Sequence, residues 1–233
     1  ERQGEFFHRY VLGVYDLMDR ITTTFPHILL ENCSSGGGRF DPGMLYYSPQ
    51  IWASDNTDPI ERLSIQFGAS LCYPIASLGA HVSASPRASL QTKGAVAMCG
   101  TFGYELDPRK LTEEEGEIVR QQVADYHKYY DLIRYGDFYR ITSPTEDPFL
   151  CDWEFVSPDK KEALFTRVVM RRPENNYQPL CLPGLDPDTL YTDEATGKVY
   201  SGALLAHGGL DLSLYEFSDN GDGACIVKHF VAK

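Results

Sequence analysis

"QIWASDNTDPIERLSIQF", residues 50–67, carries a short apolar strand pattern (QIWAS, 50–54), a polar cluster (DNTDP, 55–59) and then a helix start. Asp58 can cap that helix, Pro59 suits its first turn, and Glu61 completes an Asp-x-x-Glu capping box. Ile60, Leu63 and Phe67 give the helix an apolar face. A strand, a polar turn and a capped helix make one β/α unit. Its most reactive side chains fall where the strand ends.

The same grammar extends in both directions. Upstream, Phe6, Phe7, Tyr10, Val11, Val14, Leu17, Met18 and Ile21 recur at spacings of three and four, which predicts an amphipathic helix over residues 4–25. By that periodicity the aromatic residues of these helices are expected to be core. Pro26 follows, then HILLEN (27–32) reads as a buried strand, and SSGGGR (34–39) as a glycine loop. Downstream, YPIASLGAHVSASP (73–86) is expected to hold a third strand. AVAMCGTFGYELDP (95–108) is expected to be a fourth, a continuous apolar run suited to a parallel sheet covered on both faces. Thr112 and Glu115 form a second capping box ahead of a helix carrying Ile118, Val119, Val123, Tyr126 and Tyr130.

Beyond Gly136 the pattern changes. FLCDWEFVS, EALFTRVVMRR, YQPLCLPG, DTLYTD and ACIVKHFVAK are β-rich and separated by Pro, Gly, Asp and Asn. These predict an antiparallel β-sandwich over residues 136–233. The expected fold class is therefore α/β plus all-β. Four strand–helix units over residues 1–135 make half of a (β/α)8 TIM barrel, a fold that takes roughly 250 residues when complete. A half barrel leaves an open parallel edge. The chain opens "ERQGEFF", with neither methionine nor a signal-peptide pattern, so the other half is expected upstream.

The totals exclude several classes. The 233 residues are 42% hydrophobic with a net charge of −12 and a pI near 4.9, which argues against nucleic-acid partners and anionic membranes. No apolar run reaches the roughly 18 residues that span a bilayer. The six cysteines (Cys33, Cys72, Cys99, Cys151, Cys181, Cys225) have no C-x-x-C spacing, so no zinc site is expected. Reduced core thiols fit a cytoplasmic protein.

In a parallel α/β barrel, chemistry sits at strand ends. Glu31, Asn32 and Cys33, then Ser54, Asp55 and Asn56, then His81 fall there. Each has a plain reading beside the functional one. Asp55 and Asp58 both lie where acids serve helix starts, and Asp58 is the better structural cap. His81 reads as a hydrogen-bonded wall residue. Cys33 lacks an evident histidine partner for nucleophilic work. Gly36, Gly37 and Gly38 lack the lysine and spacing of phosphate-binding loops. Arg39 could make a structural ion pair.

ENCSSGGGRFD (31–41), followed by W-A-SDNTD (52–58) and YPIASLGAHVSA (73–84), resembles the α-galactosidases of glycoside hydrolase family 36. The similarity continues through YGDFYRITSP (135–144). The resemblance implies a (β/α)8 barrel with a C-terminal antiparallel sandwich, and a retaining mechanism run by two carboxylates. It places the acid/base at Asp55, with Cys33 and Gly36 lining the galactose pocket near the 2-hydroxyl and Trp52 offering an apolar face. It implies no cofactor and no metal. The expected partners are α-galactosides of the raffinose and melibiose type, the upstream half of the barrel, and further copies in a homo-oligomer. The family's nucleophile, an aspartate in a Lys-Trp-Asp-Met-Asn-like motif, has no match here, so the isolated chain is expected to be inactive. Two alternatives stand beside this reading. One is a non-catalytic carbohydrate-binding sandwich stacking sugars on Trp153 and Tyr177; the other is a raffinose-synthase-type transglycosylase.

Overall fold

A computed structural model describes residues 2–33, 35–172, 179–212, 217 and 221–233. Tyr177 lies outside the described residues. Strands β1 (Glu31–Asn32) and β2 (Gln50–Ile51) pair in parallel, as do β3 (Gly79–Ser83) and β4 (Thr101–Glu105). A parallel bridge from Ile51 to Leu78 joins the pairs, giving the spatial order β1-β2-β3-β4. Helix α1 (Gln3–Thr24) precedes β1, and the short α2 (Pro42–Tyr47) follows it. The later connections are α3 (Pro59–Ser70) and α4 (Leu90–Ala97), and α5 (Glu113–Tyr135) follows β4.

The helix caps explain where these elements start. Asp58 accepts from the amides of Ile60 and Glu61, with Pro59 in the first turn of α3. The expected capping box is only half made. The Asp58 amide donates to Asn56 Oδ1 at 3.1 Å, and the Glu61 carboxylate turns instead to Arg87 at 2.8 Å. The Thr112/Glu115 box of α5 is complete. The run at 95–108 corrects the expectation of one continuous strand: its first residues finish α4, and β4 begins only at Thr101. Gly94, Ala95, Val96 and Ala97, the last four residues of α4, are consecutive and buried, so periodicity over this part of the run shows no polar position.

Alternation along the strands gives two faces. Ile51, Ala80 and Val82 point into apolar clusters with the helices. The other, concave face collects Glu31, Gln50, Trp52, His81 and Glu105, linked by a Gln50–Glu31 hydrogen bond, a Trp52–His81 ring contact and a His81–Glu105 contact. Among the described residues β1 and β4 each pair with one strand only.

α1 corrects the expectation that the helix aromatics are core. It has no buried residue, and Phe6 and Tyr10 are 65% and 60% exposed. Its described attachment is to the segment around α2, where the Tyr15 hydroxyl donates to Asp41 at 2.7 Å. The apolar stripe is present and stands uncovered by the described residues.

The C-terminal sandwich is built on one antiparallel sheet in the order β5 (Asp137–Thr142), β6 (Leu150–Val156), β7 (Glu162–Val169), β10 (Cys225–Ala232), β8 (Leu190–Asp193), β9 (Val199–Ser201). One face shares a core with the half barrel, where Trp153, Phe155, Leu164 and Val168 meet Leu63, Val96, Leu132 and Ile133. The opposite face is covered by the chain around residues 180–212, through Leu180, Leu182, Leu205 and Leu210, with a Leu180–Leu210 bridge. Polar ties reinforce the first junction. Arg140 donates to Ser70 Oγ at 2.8 Å, and Lys128 reaches Glu194, which also meets His229.

Strand β6 is buried along its whole length and carries two acids inward. Asp152 is met by a two-pronged Arg167 at 2.7 and 2.9 Å. Neither oxygen of Glu154 has a hydrogen-bond partner among the described residues, and burial pushes its carboxyl up to about 9. The folded value therefore lies above the unfolded 4.5, so Glu154 costs least below pH 4.5 and progressively more as pH rises toward 9. Glu154→Met, which keeps the volume and removes the ionisable group, is expected to stabilise the chain at pH 8. It should also remove a decline of about 1.4 kcal/mol per pH unit between pH 5 and 8. Urea unfolding at three pH values measures both effects.

Candidate functional site at the strand ends

The polar clusters expected at strand ends meet in space. After β1, Ser35, Gly36 and Gly37 adopt positive φ of 49°, 74° and 95°. This left-handed run suits glycine and strains the serine. The Phe40 amide closes the loop on the Gly37 carbonyl at 2.9 Å, and Arg39 Nε donates to the Cys33 carbonyl at 2.9 Å. Arg39 thus ties down its own loop and forms no ion pair among the described residues. The loop lies flat on the segment that follows β2. A Cβ on Gly36 would stand 2.8 Å from Ser54 Cα and 3.1 Å from the Asp55 nitrogen, and one on Gly37 would stand 2.9 Å from the Ala53 carbonyl oxygen. The glycines are there because backbone must touch backbone, which brings Gly36 against the Asp55 amide; Cys33 stands at the start of the same loop, with its carbonyl held by Arg39.

The two acids of SDNTD separate cleanly. Asp58 Oδ1 accepts the α3 amides, Ser85 Oγ donates to its Oδ2 at 2.9 Å, and Arg87 stands 3.3 Å away. Its hydrogen-bonding capacity is spent on structure. Asp55, three residues earlier, is exposed, and its carboxylate has no hydrogen bond or ion pair among the described residues. The turn around it is fixed without its help. The Asn56 amide donates to Ser54 Oγ at 3.1 Å, and Ser83 Oγ, at the end of β3, donates to the Thr57 carbonyl at 2.9 Å.

Below the turn, Trp52 is 8% exposed. Its amide donates to the Asn32 carbonyl at 2.8 Å, extending the β1–β2 pairing. Its ring lies 4.5 Å from His81, whose Nδ1 is 3.3 Å from Glu105. Trp52 is thus a packed floor on the concave side, and His81 is the wall residue expected of it.

Sequence reasoning missed Arg62. Only 2% exposed, it lies on the buried stripe of α3 with Pro59, Leu63, Gln66 and Ser70. Its guanidinium stacks 5.1 Å from the Trp52 ring centre and donates to Gln66, to the Ser54 carbonyl at 3.2 Å and to the Gly79 carbonyl. Burial lowers its pKa to about 10. The available signal was a charged residue at core spacing on an amphipathic helix.

Residues 1–136 match the family model described as melibiase, and residues 150–230 match that of the glycosyl hydrolase family 36 C-terminal domain. The chain belongs to glycoside hydrolase family 36. It is 52% identical over 226 residues to the α-galactosidase AgaA of Geobacillus stearothermophilus, covering 94% of this chain and 31% of that protein. It is 44% identical over 242 residues to the α-galactosidase Mel36A of Lactobacillus acidophilus, covering 100% of this chain and 32% of that one. A crystal structure of a substituted G. stearothermophilus AgaA in complex with raffinose superposes with a TM-score of 0.93 at 48% identity, covering 100% of this chain and 33% of that one. The chain thus spans about a third of the length of these relatives. The half-barrel-plus-sandwich architecture is that of the family.

The loop contact yields a paired expectation. Gly36→Ala, blocked by backbone and by its positive φ, should destabilise the chain by about 1–3 kcal/mol. Gly68→Ala, inside α3 where a Cβ meets nothing within 4 Å, should stabilise it by about 0.5–1 kcal/mol. Denaturant melts of the two variants read the difference.

Proposed function

We propose that this chain is the acid/base-bearing part of a retaining α-galactosidase. The parent removes terminal α-linked galactose from sugars of the raffinose and melibiose type. The observation that carries this reading is the division of labour in SDNTD: Asp58 is saturated by the helix start and its neighbours, whereas Asp55 projects an unbonded carboxylate from a braced turn. In the reaction, a carboxylate from the missing barrel half attacks the anomeric carbon while Asp55 donates a proton to the departing glycosidic oxygen. Asp55, now ionised, then takes a proton from the water that cleaves the galactosyl–enzyme ester. Cys33 and Gly36 form the sugar-facing wall next to it. A small thiol and a side-chain-free backbone leave room for a hydroxyl and little for a bulkier substituent. Trp52 supports that wall from beneath. Proton transfer and carboxylate attack need no metal or organic cofactor.

The attacking carboxylate is taken to come from an upstream barrel half, whose strands would pair with the open edges of β1 and β4 and whose elements would cover the apolar stripe of α1. Any part of that stripe left bare favours association of the parent into homo-oligomers. The sugar-binding-module alternative loses its best platform, because Trp153 is 4% exposed within the shared core.

Galactose release from melibiose tests the reading. The purified 233 residues should be silent, and joining them to an upstream barrel half should give turnover. Asp55→Asn in that assembly should lower kcat/KM by about 10²-fold or more. Turnover by the 233 residues alone would place the nucleophile within this chain and overturn the proposal.

A further inference from the structure

We propose that Arg62 is the positioning residue that holds the acid/base turn in register; the inference rests on the reading of Asp55 given above. Three sets of contacts lead to it. First, the guanidinium bonds the carbonyl of Ser54, the residue immediately before Asp55, and the carbonyl of Gly79 at the start of the next strand. One planar group therefore fixes the spacing between the turn after β2 and strand β3. Second, Ser54 is held from two sides. Gly36 presses on its Cα, where an added Cβ would stand at 2.8 Å, and Arg62 binds its carbonyl at 3.2 Å. Third, the guanidinium stacks on Trp52, which is itself wedged against Gly79, so the floor of the site and the turn above it share one cation.

The energetics say that Arg62 is not there for stability. It is almost fully buried and forms no ion pair with a carboxylate among the described residues; its visible partners are two backbone carbonyls, the Gln66 amide and an aromatic face. Glu105 favours the charge from a distance without forming an ion pair, and a buried cation held this way is costly compared with an apolar side chain on the same helix stripe. What an apolar residue cannot do is donate at once to the carbonyl of the turn after β2 and to that of β3, and the planar fork of arginine can. General acid catalysis needs the proton donor within hydrogen-bond reach of the leaving oxygen, and small misplacements cost orders of magnitude.

A displaced acid has a signature that partial unfolding lacks. Substrates with poor leaving groups depend on protonation, and those with very good leaving groups do not. The experiment uses this chain joined to its upstream barrel half. It compares kcat/KM for melibiose with that for 2,4-dinitrophenyl α-galactoside in the parent, Arg62→Met, Arg62→Lys and Asp55→Ala. Arg62→Met is expected to lose about 10²-fold on melibiose and less than about threefold on the activated galactoside. Arg62→Lys, which keeps the charge and can reach one carbonyl, is expected to fall between Arg62→Met and the parent. Equal losses on both substrates, or no loss, in the Arg62 variants would overturn the inference, provided that Asp55→Ala shows the leaving-group split. If Asp55→Ala itself shows no split, the assignment of the acid/base fails and the inference falls with it. Should Arg62→Met fail to fold, the ratio of the two rates in Arg62→Lys decides: unchanged from the parent, it too overturns the inference.

Discussion

Two loops that touch through backbone organise this chain. The turn after β1 lies so close to the turn after β2 that a single methyl group on Gly36 would collide with Ser54 Cα. Such an approach requires glycine, positive φ and a strained Ser35. It fixes Gly36 against the backbone of Ser54 and Asp55, and the SDNTD turn must then find its remaining support elsewhere. That support comes from Asp58 on the α3 amides, from Ser83 on the Thr57 carbonyl and from Arg62 beneath Ser54. The effect is to immobilise the backbone around a carboxylate that itself stays unbonded, the arrangement a proton donor needs.

The same economy shapes the two faces of the half barrel. Its outer face is apolar and merges with the sheet through Trp153, Phe155 and Leu164, so barrel half and sandwich share one core. Its concave face is polar, with Glu31 against Gln50 and His81 against Glu105. A complete barrel fills its interior with layers of side chains from alternate strands. Among the described residues, the edges of β1 and β4 beyond their one pairing and the apolar stripe of α1 are left uncovered.

Much of this was legible in the sequence. The βα unit at 50–67 announced itself through its cap, its proline and its apolar spacing, and the capping box of α5 did likewise. Local chemistry determines these features. What escaped depends on tertiary surroundings. The end of α4, Ala95–Ala97, passed for the start of a strand because those residues are all buried and apolar, although Ser89, which accepts the Thr92 amide, marks the helix start. The α1 stripe indicated a face in need of cover and could not say what covers it. Arg62 and Glu154 were hidden for a shared reason. Composition treats a charge as a surface residue, and only the fold shows that one stacks on Trp52 and donates to a turn carbonyl and a strand carbonyl, while the other lies in a sheet without a hydrogen-bond partner among the described residues. The choice of Asp58 over Asp55 as the helix cap was legible from its position before Pro59, and the hydrogen bonds of Asp58 agree with it.

The most direct test of the central claim, that Asp55 is presented as a free proton donor by the two touching loops, is a crystal structure. The target is the joined barrel halves with a galactose-like iminosugar in the site. The quantity to measure is the separation between the Asp55 carboxyl and the carboxylate beneath the anomeric position. The account predicts about 5–5.5 Å, with Asp55 on the leaving-group side. A separation above about 6.5 Å, or an Asp55 turned into a structural hydrogen bond away from the sugar, would contradict it.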